Sequence, residues 1–125
     1  MAVATYQVHA AVISLLEGAQ PEAIGAAVTS ALCARAEDDG PCRWPHNNAL
    51  ILTDDVAVLR TVFAAPACEE REVRTRIRSA LRSSNEWEVV SDRSGTLTPE
   101  ERVLAARLAT TQQQSNSASR GVSGD

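Results

Sequence analysis

Residues 49–64, ALILTDDVAVLRTVFA, hold two runs rich in Leu, Ile and Val on either side of Asp54-Asp55. In the second run both parities are largely apolar: Val56, Val58 and Val62 on one side, Ala57, Leu59 and Phe63 on the other. A strand that is apolar on both faces is covered on both faces, as a strand in the middle of a sheet is. The stretch therefore predicts a hairpin whose second arm is a central strand. Asp-Asp turns a chain without the help of a glycine, so the expected loop is one or two residues longer than the pair. Ala65-Pro66-Ala67 is expected to break the strand after Phe63.

Upstream, residues 4–16, ATYQVHAAVISLL, fit both a helical and an alternating template. Tyr6, Val8, Val12 and Ile13 favour extended backbone, and the turn-rich run Glu17-Gly18-Ala19-Gln20-Pro21 leads straight into a helix start, so a strand is expected. Ile24, Ala27, Val28, Ala31 and Leu32 then recur at helical spacing behind Pro21 and Glu22, which predicts a helix over 21–36. Glu37-Asp38-Asp39-Gly40-Pro41 ends it. A stiff loop with Trp44 and Pro45 leads back into the hairpin.

Downstream, residues 68–82, CEEREVRTRIRSALR, give the clearest helix: Val73, Ile77, Ala80 and Leu81 share one face, Glu69, Glu70 and Glu72 sit at the start, and Arg78 and Arg82 at the end. A short strand over 87–91 and a turn over 92–95 follow. Thr98-Pro99-Glu100-Glu101 is a capping box with proline in the first helical position, opening a helix to about residue 110 that buries Val103, Leu104 and Leu108. The polar stretch 111–125 is expected to be a disordered tail behind a single α+β domain over 1–110.

The predicted order is strand, helix, strand, strand, helix, strand and one extra C-terminal helix. That is the ferredoxin-like βαββαβ pattern, an antiparallel four-stranded sheet with two helices on one face. Right-handed crossovers would set the first strand beside the Val56–Ala64 strand in the middle. The other face would then bare several of Ala11, Ile13, Val56, Val58 and Val62, more apolar surface than is usually left to water. A second copy packed sheet to sheet is the first candidate to cover it, the C-terminal helix the second and an apolar ligand the third.

Composition narrows function without naming one. All 12 basic residues other than histidine are arginine, which points to codon bias toward Arg and Ala in a high-GC genome before it points to any binding demand. The net charge of −4 argues against unspecific nucleic-acid binding. No window reaches the roughly 18 apolar residues of a membrane span, and the N-terminus carries no signal-peptide pattern, so a cytoplasmic protein is expected. Cys33, Cys42 and Cys68, odd in number and without CxxC spacing, read as free thiols; a Cys33–Cys42 bridge would be unusual in a reducing compartment. No cofactor or metal motif occurs.

Three groups of residues are candidates for binding. His9 and Arg60, on neighbouring central strands, are expected to point together to the face away from the helices and to make an anion site. The competing reading pairs Arg60 with Glu88 and leaves His9 on the strand surface. Trp44, His46, Asn47 and Asn48 combine an aromatic plate with hydrogen-bonding tips, as recognition loops do, or Trp44 simply caps the core. Arg71, Arg74, Arg78 and Arg82 form a guanidinium stripe that would grip phosphates of RNA or an acidic partner, although no aromatic residue interleaves it for stacking on bases. The expectation is a non-catalytic ligand- or partner-binding domain, dimeric through its sheet, with His9, Arg60, Trp44, His46 and Asn48 as the ligand-binding set for a small anionic or apolar ligand. A small enzyme of the cofactor-free oxygenase or isomerase type on the open sheet face, and an RNA- or ribosome-associated protein using the arginine stripe, are the alternatives.

Overall fold

The computed structural model describes residues 4–33 and 44–108. At the level of class the expectation holds: the chain forms an α+β fold around an open antiparallel sheet. The strands are β1 (Ala4–Leu15), β2 (His46–Thr53), β3 (Val56–Pro66) and β4 (Trp87–Gly95), with α1 (Glu22–Cys33) between β1 and β2 and α2 (Glu70–Arg82) between β3 and β4. A third helix, α3, covers residues 99–108. In the sheet the order is β2-β3-β1-β4, so β1 and β3 are the two inner strands.

The hairpin turns on Asp54 and Asp55 alone. Thr53 pairs with Val56, and Asp54 takes a left-handed backbone (φ 55°), a conformation in which Asp is among the better-tolerated non-glycine residues. The loop is thus shorter than expected. Past Phe63 the strand continues, with Ala64 and Ala65 paired to Tyr6 and Thr5; Pro66 does no harm at a strand end. A 3-10 turn at Ala67–Glu69 then feeds α2.

β4 also outruns its expected length. Asp92-Arg93-Ser94-Gly95, read as a turn, stays in register with Ala11, Ala10, His9 and Val8, because twelve-residue β1 offers it a long template. A register shift between Val12 and Ile13 leaves Val90 unpaired in a bulge. Gly95 is closely packed: a Cβ there would stand 3.1 Å from Val8 Cγ1, so that side chain would have to give slightly, and 3.6 Å, an ordinary contact, from the Arg60 guanidinium.

Register decides the faces. Ala11 lies opposite Leu59 and Ile13 opposite Ala57, and all four belong to the main core with Phe63, Trp87, Ile24, Val28 and Leu32 of α1, and Val73, Ile77 and Leu81 of α2. Ala11 and Ile13 therefore face the helices, not the second face assigned to them from the sequence. The second face carries Val8, Val12, Val58 and Val62 instead. α3 lies across part of it, burying Ala105 against Val8 and Val62 with Leu104, Leu108 and Leu97 packed around. The folded-back helix, second among the expected covers, is the one seen.

Cys33 is disulfide-bonded, which corrects the reading of free thiols, and Cys68 is free and exposed. The bridging partner considered from the sequence, Cys42, lies outside the described residues, as do the end of the helix expected to reach 36, residues 109–110 and the expected tail. Disulfides persist in oxidising surroundings, so the cysteines no longer favour the cytosol. No described helix is long and apolar enough to cross a membrane.

Candidate functional site

The proposed partners His9 and Arg60 stand on opposite faces of the sheet. Arg60 is opposite Ala10, so it shares a face with Ala10, while His9 shares the other with Thr61. A one-residue difference of parity separates the two side chains by the thickness of the sheet.

Arg60 is occupied by α3. Its Nε donates to Glu101 Oε2 at 2.6 Å, one terminal nitrogen donates to Glu101 Oε1 at 2.9 Å, and the same nitrogen reaches the Thr96 carbonyl at 2.9 Å. Glu88, the partner weighed from the sequence, takes no part. Glu101 also closes the expected capping box: its Oε1 accepts from Thr98 N–H at 2.9 Å, and its own N–H donates to Thr98 Oγ1 at 3.1 Å. One carboxylate thus caps α3 and clamps it to the sheet.

Trp44 is core. It is fully buried, its indole N–H donates to Glu69 Oε1 at 2.8 Å, and Arg76 lies 5.1 Å over its ring. His46 and Asn48 tie edge strand β2 to α1. His46 Nδ1 donates to the Trp44 carbonyl at 3.1 Å, which leaves Nε2 to accept from Thr29 Oγ1 at 3.0 Å. Asn48 Nδ2 donates to Gly25 O and to Thr29 Oγ1, both at 3.2 Å, while its Oδ1 accepts from buried Thr61 at 2.8 Å. This polar seam is already satisfied, so it serves the fold. Asn48→Ala should cost about 1–3 kcal/mol in urea unfolding, because it strands the Thr61 hydroxyl in the core.

The arginine stripe is where unspent charge converges. It lies along the flank of α2 that faces edge strand β4, and it is not equally exposed along its length. Arg74 dips inward: Nε donates to Glu70 Oε2 at 2.8 Å, and one terminal nitrogen reaches both the Val8 carbonyl at 3.0 Å and His9 Nδ1 at 3.1 Å, with the guanidinium 5.3 Å over the Phe63 ring. Arg78 Nε donates to Asp92 Oδ2 at 3.1 Å, and Arg82 approaches the same oxygen at 3.7 Å. Arg71 is exposed and has no carboxylate partner among the described residues. Four guanidiniums thus stand against Glu70 and Asp92. Three of them, Arg71, Arg74 and Arg78, border an open groove of about 500 Å³ between α2 and β4, lined also by Ala67, Glu70, Thr75 and Ser94.

His9 lies beneath this groove, 1% exposed. Arg74 has only protons to give, so Nδ1 is the unprotonated nitrogen and the ring hydrogen sits on Nε2. That N–H has no hydrogen-bond partner among the described residues; Asp92 Oδ2 stands 3.8 Å away. Burial lowers the His9 pKa from 6.5, and the Arg74 charge lowers it further, with Asp92 opposing. His46 is lowered by burial too. Both rings bind protons more readily in the unfolded chain than in the folded one, so folding stability is whole above pH 6.5 and falls as pH drops below it, until the folded-state values are passed. A thermal midpoint that declines over that window, with a shallower decline in His9→Gln, is the expected result.

Nothing in the sequence pointed to the contact of His9 with Arg74. The only available signal was the position of Arg74, four residues after Glu70 and next to Val73 at the boundary of the apolar face. No group of three His, Cys, Asp or Glu side chains among the described residues could hold a metal ion. No family model, curated protein or solved structure matches this chain.

Proposed function

We propose that the chain is a non-catalytic binding domain of ferredoxin-like topology that takes an anionic group, carboxylate or phosphate, of a ligand or partner in the groove between α2 and β4. The topological name is supported by the order of elements, by the inner placing of β1 and β3 and by a core that α1 and α2 share on one face. The single observation that carries the functional reading is the state of Arg74. Glu70, the Val8 carbonyl and His9 hold its guanidinium before any ligand arrives, and a fixed fork loses less entropy on binding than a free one. Arg71, exposed and without a carboxylate partner among the described residues, supplies the charge beside it. The enzyme alternative gains nothing comparable, since His9, His46 and Arg60 do not share a pocket.

Calorimetric titration with citrate and with inorganic phosphate tests this. Binding should weaken on the order of tenfold in Arg71→Glu, while unfolding stability changes by less than about 0.5 kcal/mol, as for other exposed sites. Retention of single-stranded RNA with no response to either small anion would replace the reading by the RNA one. Association of two copies belongs to the same proposal, through the row Ile51–Val58–Val12 left open beside α3. A monomer at every concentration in sedimentation would remove it.

A further inference from the structure

At the end of the sheet where the β2–β3 hairpin turns, apolar side chains stay in water. Leu16 is 47% exposed and Leu52 48%, and with Pro21 they line a groove of about 420 Å³ between the hairpin and the β1–α1 connection. Ile51 and Val56 extend the apolar surface onto the other side of the same hairpin, both exposed. Large apolar residues scattered singly need no explanation, but a contiguous group at the mouth of a groove does.

The groove has a charged rim of one sign. Glu17, Asp54 and Asp55 border it, and none has a cationic side-chain partner among the described residues. Two adjacent carboxylates at a hairpin tip repel each other. Local choices that work against the fold while nothing nearby offsets them are the kind retained for binding. Apolar anchors inside an acidic rim fit a segment of the opposite pattern.

From this charge complementarity we propose that the groove docks a partner segment bearing paired apolar side chains flanked by Arg or Lys. The leucine-sized anchors sit against Leu16 and Leu52, and the flanking cations meet Glu17, Asp54 and Asp55 at the rim. The site is separate from the α2–β4 groove and stands whether or not that groove binds anions.

The test is NMR titration of the whole protein with a short synthetic peptide of paired leucines between arginines, and with its counterpart in which glutamates replace the arginines. The arginine peptide should shift Leu16, Leu52 and Asp55 and bind more weakly as salt rises. Leu52→Gln should lower its affinity on the order of tenfold, from the loss of a buried apolar side chain. Asp54→Asn with Asp55→Asn should flatten the salt dependence while leaving Leu52 contacts in place. Both variants lie on an exposed tip, and an unchanged amide spectrum away from it confirms the fold. Equal binding of the glutamate peptide, shifts confined to other surfaces, no binding of the arginine peptide, or an affinity indifferent to Leu52→Gln would each overturn the proposal. So would self-association that buries Leu52, since the occupant would then be a second copy.

Discussion

Arg74→Met is expected to cost about 2–4 kcal/mol of stability in urea unfolding, more than an arginine at the edge of a helix normally would. The side chain is only 12% exposed and gives hydrogen bonds in three directions. Removing it leaves His9 Nδ1 without its donor in a site where Nε2 already lacks a partner, so a buried imidazole would have no hydrogen bond at either nitrogen. The Val8 carbonyl loses a donor and Glu70 its counter-charge. Arg74→Lys should recover only part of the loss, since one ammonium lacks the fork that reaches Glu70 and His9 together. Replacing both partners, His9→Leu with Arg74→Met, should be less damaging than the sum of the two single changes, with a coupling of about 1–3 kcal/mol. Strict additivity would mean that the contact between them does not matter.

Glu101→Ala should release α3. The carboxylate that caps the helix is the one that grips Arg60, so the change removes a cap and an ion pair with one side chain and should cost about 2 kcal/mol. The loss should be local: faster amide exchange over residues 99–108, with dye binding as Val8 and Val62 open to water. Reversing the pair, Arg60→Glu with Glu101→Arg, should not restore α3, because an arginine cannot accept from Thr98 N–H. Acid should act in the same direction. Hydrogen bonds from Arg60 foremost hold the Glu101 carboxyl below its ordinary 4.5, so its contribution is whole above that value and is lost as pH falls through the folded-state one.

What the sequence revealed follows from which physical signals are local. α2 was legible because its apolar period and the signs of charge at its two ends agree. The α3 start was legible because the capping box is a contact within four residues, although the second role of Glu101 depends on a strand far away in the chain. The class of fold came from the double apolarity of β3, an inner strand. That same property hid the parity of β1: when both faces of a strand are apolar, nothing in the pattern says which residues face the helices, and a slip of one residue moved His9, Ala11 and Ile13 to the wrong side. Asp92-Arg93-Ser94-Gly95 has the composition of a turn, and only pairing to β1 keeps it extended. Trp44 could not be told from a recognition residue, because the carboxylate that satisfies its indole, Glu69, lies 25 residues further along the chain. The groove between α2 and β4 was half legible: the stripe was visible as spacing, but the locking of Arg74 requires a strand residue 65 positions earlier.

The most direct measurement is a citrate titration of the whole protein followed by two-dimensional NMR, including the arginine side-chain Nε signals. An anion seated between α2 and β4 should shift Arg71, Arg74, Arg78 and Ser94 together. It should leave Arg60, on the other face of the sheet, where it was. Shifts at Arg60 and α3 with the α2 signals unmoved would contradict the account.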